Sequence, residues 1–472
     1  MSAAAWEPVI GLEIHVQLKT RTKMFCACAL EYGAEPNAHT CPICLGHPGI
    51  LPVPNGKAVE WTVKLGRALG CAIAPRAVFH RKHYFYPDLA KGYQISQYDE
   101  PLCTGGRFVV PSLDGELEVG IVRAHLEEDA AKIVHVGGAG GRIGGADHSL
   151  VDYNRAGTPL VEIVSAPDLR SADEAKRFLQ LLRQTVIELG ISDAEMEKGT
   201  LRADANVSVR RTGEQELRTR TELKNMNSFT FIARGIEAET ARQIEVWESG
   251  AEVVQQTYDF HADTGALTPR RTKEEAEDYR YLPEPDLVPV EPSAELLERV
   301  GGELRELPGA RVRRLEAGLD FETANGLVTS GRDRLYEAVA ATGVDARAAA
   351  NVLMNQFAAT GVAQDAVDAA ELAKLVEARD RIPRAAFLEA LAASGEPGFS
   401  ADRYLADAAL TDTAELEPLV DRVLAENPDQ VASYRSGKQG LLGFFVGQVM
   451  RETNGKANAK VVSELVRAKL DA

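Results

Sequence analysis

The sequence lacks any run approaching the ~18–20 uninterrupted apolar residues that a membrane helix needs, so a membrane-spanning role is not expected. Its first residues, Met1 to Glu7, carry no basic segment ahead of an apolar core. No export signal is expected there, and the cytoplasm is the expected location. No Gly-Lys pair is followed by Ser or Thr, so the P-loop is absent. Basic residues are short: 53 Lys and Arg stand against 70 Asp and Glu, a net charge of −17. That excludes a protein coating nucleic acid with its whole surface, but leaves room for a local basic patch. Cysteines are few, and four of the six crowd between Cys26 and Cys44. In a cytosolic chain such clustering favours a metal over disulfides.

What is present is an ordinary globular composition over 472 residues, with 45% hydrophobic and 26% charged side chains. That length suggests two to four domains. Residues 1–295 mix strand-like alternation with turns and polar clusters. Residues 296–400 are rich in Ala, Glu and Leu and read as helix. Residues 401–472 are helical and shift towards basic side chains. The Pro-rich run Leu282 to Pro292 marks the first boundary as an extended connector. The glycine-rich stretch Gly137 to Gly145 fits no phosphate-binding spacing and reads as a flexible loop.

Several clusters could carry chemistry. Along Val9 to Leu18, Ile10, Leu12, Ile14, Val16 and Leu18 share one strand face, and Gly11, Glu13, His15 and Gln17 share the other. Glu13 and His15 then lie ~6–7 Å apart, close enough to serve one ion or phosphate, or to form a solvated face. In His125-Leu-Glu-Glu-Asp129, Glu127 and Glu128 belong to three consecutive acids that are either exposed or held by a cation. In Leu150 to Val164, Asp152, Asn154 and Arg155 precede a turn, and Glu162 interrupts an apolar strand. A lone acid there is expensive to bury without a partner, which makes it a ligand candidate. Arg81, Lys82 and Lys91 lie among Tyr84, Phe85, Tyr86 and Tyr93. That mixture suits either an anionic ligand with a flat part or an aromatic core with snorkelling cations.

Cys26-Ala-Cys28 and Cys41-Pro-Ile-Cys44 offer four thiolates for a closed tetrahedral Zn²⁺ site, which would be structural. The rival is a set of buried free thiols. Cys71 and Cys103 read as buried cysteines. Between residues 434 and 472 seven basic residues face three acids. Leu442, Phe445, Val446, Val449 and Met450 repeat at helical spacing, as do Val462, Val466 and Leu470. Gly443 and Gly447 would admit a close helix. Such a module either docks on an RNA backbone or simply packs.

Taken together, the motifs resemble the GatB family, the B component of the bacterial glutamyl/aspartyl-tRNA amidotransferase. The matching stretches include Val9-Ile-Gly-Leu-Glu-Ile-His-Val, Tyr84-Phe-Tyr-Pro-Asp-Leu, His125-Leu-Glu-Glu-Asp-Ala, Leu201-Arg-Ala-Asp-Ala-Asn-Val-Ser-Val, Asp278-Tyr-Arg-Tyr-Leu-Pro-Glu-Pro-Asp and Gly443-Phe-Phe-Val-Gly-Gln-Val-Met. The resemblance is thinnest between about 295 and 430.

It implies an α+β fold: a glutamine-synthetase-like cradle domain (1–295) with a zinc knuckle at 26–44, an all-helical domain (296–400), and a small helical tail (401–472). It implies ATP- and Mg²⁺-dependent phosphorylation of the side-chain carboxylate of Glu-tRNA(Gln), Asp-tRNA(Asn) or both, followed by displacement with ammonia. Glu13, His15, Glu128 and Glu162 are then the Mg²⁺ and catalytic set, with Glu127 a neighbouring candidate. Arg81, Lys82, Tyr84, Asp152, Asn154 and Arg155 are expected to bind ATP or substrate. Cys26, Cys28, Cys41 and Cys44 are expected to bind Zn²⁺. Arg435, Lys438, Arg451, Lys456 and Lys460 are expected to bind tRNA. The chain shows no glutaminase signature, so the resemblance implies two partners from the same complex: an amidase that supplies ammonia, and a small third component that clamps the other two. Ala90, Ala203 and Ala459 depart from the family pattern without touching a proposed ligand. Two other readings remain: a stand-alone ATP-dependent ligase acting on a small acid, and a non-catalytic zinc-ribbon RNA adaptor.

Overall fold

The computed structural model describes residues 5–113, 115–138, 144–270, 279–405, 413–453, 457 and 459–471. Lys456 and residues 139–143 of the glycine-rich stretch lie outside these. The fold is mixed α+β, in two compact units, Met1–Arg311 and Val312–Ala472.

Strands of the first unit begin with β1 (Trp6–Gln17), β2 (Ala72–Ile73), β3 (His80–His83), β4 (Tyr93–Ser96), β5 (Cys103–Ser112), β6 (Gly115–Glu128) and β7 (Lys132–Val136). They continue with β8 (His148–Asp152), β9 (Pro159–Ser165), β10 (Leu201–Arg211), β11 (Thr221–Lys224), β12 (Thr257–Phe260), β13 (Leu267–Pro269) and β14 (Leu282–Pro283). Nine of them form one sheet in the order β13-β12-β11-β10-β1-β9-β6-β5-β2. β1 lies at its centre, antiparallel to both β10 and β9.

The alternation in β1 decides which way the sheet faces. Ile10, Leu12, Ile14 and Val16 are buried to within 1%. Helices α1 (Gly56–Ala68), α2 (Ala172–Glu188) and α3 (Phe229–Glu248) supply much of the remaining core. α2 begins where Ser171 accepts a hydrogen bond from the Glu174 amide, and it buries Phe178, Leu179, Leu181 and Leu182. Phe178 meets Phe108 of β5 edge to face, with centroids 5.4 Å apart. Removing one such aromatic from a core costs ~3–5 kcal/mol. The opposite face of β1 carries Glu13, His15 and Gln17.

The Pro-rich run is extended, as its prolines require, yet it is not a free connector. β14 pairs with β3, and Val290 bridges Ala77. α4 (Ala294–Glu303) then pairs with α1 through Lys64 and Glu303, 2.8 Å apart, and Glu60 and Arg299, 3.1 Å apart. The hairpin of β7 and β8 leads into and out of the glycine-rich stretch.

The second unit is helical. Its C-terminal part has its own core, in which Leu416, Val420, Tyr434, Phe445, Val449, Val462, Val466 and Leu470 are buried together. The expected stripes on Leu442–Glu452 and Ala459–Asp471 are the ones that pack. Among the described residues no helix lies close over Gly443 or Gly447: a Cβ at either would meet none of their atoms within 4 Å.

Candidate active site

Register brings the sequence-distant acids together. His15 of β1 stands opposite Glu162 of β9, and Glu162 stands opposite His125 of β6. On the other side His15 faces Arg202 of β10, while Glu13 faces Asp204. Because side chains alternate, all of these share the polar face of the sheet. His15 Nε2 lies 3.6 Å from Glu127, 3.6 Å from Glu162 and 3.9 Å from Glu13. Glu162 also meets His125 at 3.7 Å and Arg123 at 3.2 Å. The lone acid of the β9 run is therefore partnered, as its burial demands.

The electrostatics is that of crowded acids. Burial, then the charge of Glu162, pushes Glu127 up to about 7. Burial and Glu162 also raise Glu13. Burial alone would raise Glu162, but His125, His15 and Arg123 hold it below the usual carboxylate range. Burial would depress His15, but its hydrogen bond to Glu162 and the three surrounding acids lift it to about 9. Burial takes His125 down to about 4. Such mutual repulsion is what a bound cation relieves. The donor geometry fits one: Glu13, His15 and Glu162 bring ligand atoms within 4.8 Å of one another, and so do His125, Glu127 and Glu162. The buried Nδ1 of His125 and Nε of Arg123 have no partner among the described residues.

Glu128, expected in this set, is not part of it. It is the next residue along β6, so its side chain leaves by the other face. There it accepts the Ile95 amide at 3.0 Å and pairs with buried Lys91. Glu127 takes its place.

Lys82 and Tyr84 do border the acids. The Lys82 ammonium lies 4.8 Å from the centroid of Tyr279. Burial would lower its pKa, but Tyr281, Glu127 and Glu162 raise it above the ordinary lysine value. Tyr84 meets Tyr279 edge to face at 6.4 Å, and Tyr281 stacks on Tyr98 at 4.1 Å. The other expected ligand-binding residues are otherwise engaged. Arg81 is clamped by Glu284 through two hydrogen bonds of 2.7 Å. Asp152 accepts the amides of Asn37 and Asn154 at 3.0 Å. Asn154 accepts the His39 amide at 2.8 Å and donates to the Glu35 carbonyl at 2.7 Å. Those two residues thus tie down the loop between the cysteine pairs. Arg155 donates to the carbonyls of Ala130 and Ala131 at 2.9 and 2.7 Å.

Residues not anticipated as part of the site are Arg123, His125, Tyr279, Tyr281 and a supporting trio. In the trio, buried Asp129 accepts from Gln17 at 2.7 Å and from Arg202 at 3.0 Å. Strand parity puts Gln17 on this face, but its partner lies 112 residues away.

The four clustered cysteines converge. All four Sγ atoms lie within 4.8 Å of one another. Cys41 and Cys44 are 3.9 Å apart, close to the ~3.8 Å edge of a tetrahedron with 2.3 Å Zn–S bonds. Lys23, 1% exposed, points its ammonium at Cys44 Sγ, 3.6 Å away. A buried ammonium needs an anion, and a thiolate provides it. Hydrogen bonding to Cys26, opposed by burial and aided by the Cys41 backbone and by Lys23, draws the Cys44 thiol down to about 4. Cys71 and Cys103 are buried, free thiols.

In the tail, Arg435 is folded back on the last helix, donating to the Leu470 carbonyl at 3.1 Å. Lys438, Arg451 and Lys460 are exposed.

Comparison with known proteins agrees from end to end. The family model described as the GatB/GatE catalytic domain matches residues 8–298, and the GatB domain model matches residues 334–470. A relative from Moorella thermoacetica, named as the B component of an aspartyl/glutamyl-tRNA(Asn/Gln) amidotransferase, is 48% identical, covering 98% of this chain and 100% of its own. Proteins of the same name from Anaeromyxobacter dehalogenans and Halorhodospira halophila are each 47% identical, covering 100% and 99% of this chain. With two family models placed in order and near-half identity throughout, the chain belongs to the GatB family.

Proposed function

We propose that this chain is the activating component of a tRNA-dependent amidotransferase that converts Glu-tRNA(Gln), Asp-tRNA(Asn) or both into the amide. The observation that carries the reading is the convergence of Glu13, His15, Glu127 and Glu162 on one sheet face beside Lys82. The first unit serves as the glutamine-synthetase-like cradle, and the C-terminal helices as the tRNA-binding tail.

A carboxylate at neutral pH is a poor electrophile, so it must first gain a leaving group. The carboxylate oxygen of the misacylated residue attacks the γ-phosphorus of ATP, and ADP departs. Ammonia then adds to the acyl carbon, and inorganic phosphate leaves with the bonding pair. Phosphoryl transfer of this kind depends on positioning and charge neutralisation. Glu13, His15, Glu127 and Glu162 would hold Mg²⁺, which would supply positive charge to neutralise the transferring phosphoryl group. Lys82 and Arg123 supply the cationic side of the pocket. Tyr84, Tyr279 and Tyr281 wall it, and limiting water protects an acyl phosphate from hydrolysis. Cys26, Cys28, Cys41 and Cys44 would hold a structural Zn²⁺ remote from the reacting groups. Ammonia is supplied by an amidase partner, with a small third component completing a cytoplasmic assembly.

The test is reconstitution with both partners, glutamine, ATP and each misacylated tRNA. Glu162→Gln is expected to abolish ADP release and amide formation while glutamine hydrolysis persists. Full amide formation by that variant would leave only the adaptor reading.

A further inference from the structure

A ladder of tyrosines leads from the acids to the surface. Tyr84 meets Tyr279 edge to face, and Tyr279 meets Tyr281 likewise, with centroids 6.3 Å apart. Tyr281 lies parallel to Tyr98 at 4.1 Å, with 9° between the rings. The inner end belongs to the site already described. The Lys82 ammonium lies over Tyr279. Burial raises the Tyr281 hydroxyl, and the charges of Lys82, Glu162 and Glu127 all act on it. The outer end is open. Tyr98 is 47% exposed even though Tyr281 covers one of its faces. Among the described residues no other ring covers Tyr98, and its hydroxyl makes no hydrogen bond.

The backbone that presents the ladder is strained. Between Tyr279 and Tyr281, Arg280 takes a φ of 44°, a left-handed conformation uncommon outside glycine. His83 Nδ1 holds it there by donating to the Arg280 carbonyl at 3.0 Å, and Leu282 pairs with Arg81 of β3. The Arg280 side chain is exposed and makes no hydrogen bond, ion pair or ring contact among the described residues. Strain of this kind is retained where it aims a group. The acids that follow Tyr98 already have partners: Asp99 meets His80 Nε2 at 2.9 Å, and Glu100 pairs with Arg76. An uncovered aromatic ring with a free arginine nearby is the platform on which unpaired bases stack, the cation serving the backbone.

We propose that Tyr98 and Tyr281 receive the unpaired base at the 3′ end of the tRNA, with Arg280 on the phosphate ahead of it and the esterified side chain passing Lys82 towards Glu127 and Glu162. The carboxylate to be activated hangs from the terminal ribose, so its base must settle one sugar away from the path to the acids. The ladder offers a stacking face at the outer end of that path. Free ATP carries an adenine too, but no strand leads away from it. The exposed Arg280 suits a strand whose phosphates continue into solvent. This inference rests on the tRNA reading above, and it adds Tyr98 and Arg280 as residues that position the substrate.

The experiment uses the reconstituted complex with Tyr98→Ala, Tyr98→Phe and Arg280→Ala. KM for misacylated tRNA is measured at saturating ATP and glutamine, and KM for ATP at saturating tRNA. Binding of uncharged tRNA, with and without its terminal adenosine, is measured on filters. Tyr98→Ala is expected to raise KM for tRNA and weaken binding of the intact tRNA roughly five- to twentyfold, the scale of one lost base–aromatic stack. Tyr98→Phe keeps the ring and should stay within twofold of the parent. The shortened tRNA should bind equally to the parent and to Tyr98→Ala, since the base that meets the ring is already gone. Arg280→Ala should weaken tRNA binding and flatten its salt slope by roughly 0.7, one single-strand phosphate contact. KM for ATP should hold within twofold in all three. Unchanged tRNA affinity in folded Tyr98→Ala overturns the proposal. So does an equal loss on the shortened tRNA, or a rise confined to ATP, which would assign the ladder to the adenine of ATP. If Tyr98→Ala does not fold, Arg280→Ala decides, because that side chain has no partner to lose among the described residues. Binding to filters involves no turnover, so the two levels separate. If Glu162→Gln is inactive while Tyr98→Ala binds tRNA normally, only the base site fails. If Glu162→Gln forms amide, the phosphorylation reading fails and the binding results still judge the base site.

Discussion

Glu127 and Glu128 are neighbours in sequence but face opposite sides of β6. Glu127 Oε2 accepts from Ser96 Oγ at 3.2 Å and turns its other oxygen towards His15, whereas Glu128 accepts the Ile95 amide and pairs with Lys91. On our proposal Glu127 serves the chemistry and Glu128 the fold. Glu127→Gln is expected to lower the rate of ATP-dependent amide formation by ~10²–10³, the scale of losing one electrostatic group in a phosphoryl-transfer site. Its melting temperature should hold or rise, because a repelled buried acid is neutralised. Glu128→Gln should do the reverse. It strands the buried Lys91 ammonium at a cost of ~3–5 kcal/mol, with kcat of the folded enzyme kept within a few-fold. Thermal melts and steady-state rates on the two variants check this. Equal loss of rate in both would contradict it.

Zinc is expected to act on stability alone. Cys41→Ser should bind less than one equivalent of zinc by elemental analysis and melt earlier. The rate at low temperature should remain near that of the parent. Lys23→Met removes the ammonium that faces Cys44 and should weaken zinc retention against a chelator, with all four thiols still present. Loss of amide formation at a temperature where Cys41→Ser stays folded would show that the metal does more than hold the loop.

How much of this is legible in the sequence depends on the range of the interaction. Strand parity assigns Glu13, His15 and Gln17 to one face of β1, because a two-residue period is local. The cost of burying a lone acid singles out Glu162. Cysteine spacing finds the four thiols. The choice between Glu127 and Glu128 is not legible, since the parity of β6 is only fixed by its pairing with β9. Arg81, Asp152, Asn154 and Arg155 have the composition of ligand-binding groups. Their partners, Glu284, Asn37, His39 and the carbonyls at 130 and 131, become neighbours only when the chain folds. The helical spacing of Phe445, Val449, Val462 and Val466 does identify the tail core.

Arg81 and Glu284 bind β3 to the segment that carries Tyr279 and Tyr281. The Glu284 side chain is 0% exposed, so Arg81→Ala leaves a buried acid without its fork of donors. Arg81→Ala is expected to lower the melting temperature and also the rate, by loosening the tyrosine wall next to Lys82. Arg81→Lys should rescue little of either, since an ammonium cannot reproduce the paired hydrogen bonds. If Arg81→Ala instead raised only KM for ATP and left the melting temperature unchanged, Arg81 would be a ligand-binding group after all.

The tail separates its cations into two kinds. Arg435 donates to the carbonyls of Leu470 and Lys469 at 3.1 and 3.5 Å, near the end of the last helix. There it satisfies carbonyls that no later turn can reach. Arg435→Ala is expected to destabilise the C-terminal core without a specific effect on tRNA. Lys438 and Arg451 are exposed, so their replacement by Ala should leave the melting temperature unchanged. If they touch phosphates, KM for tRNA should rise and KM for ATP should stay fixed. The slope of log affinity against log salt should then flatten by about one for each phosphate left without its cation. A rise in KM for tRNA with an unaltered salt slope would mean that these side chains shape the tail rather than meet the RNA backbone.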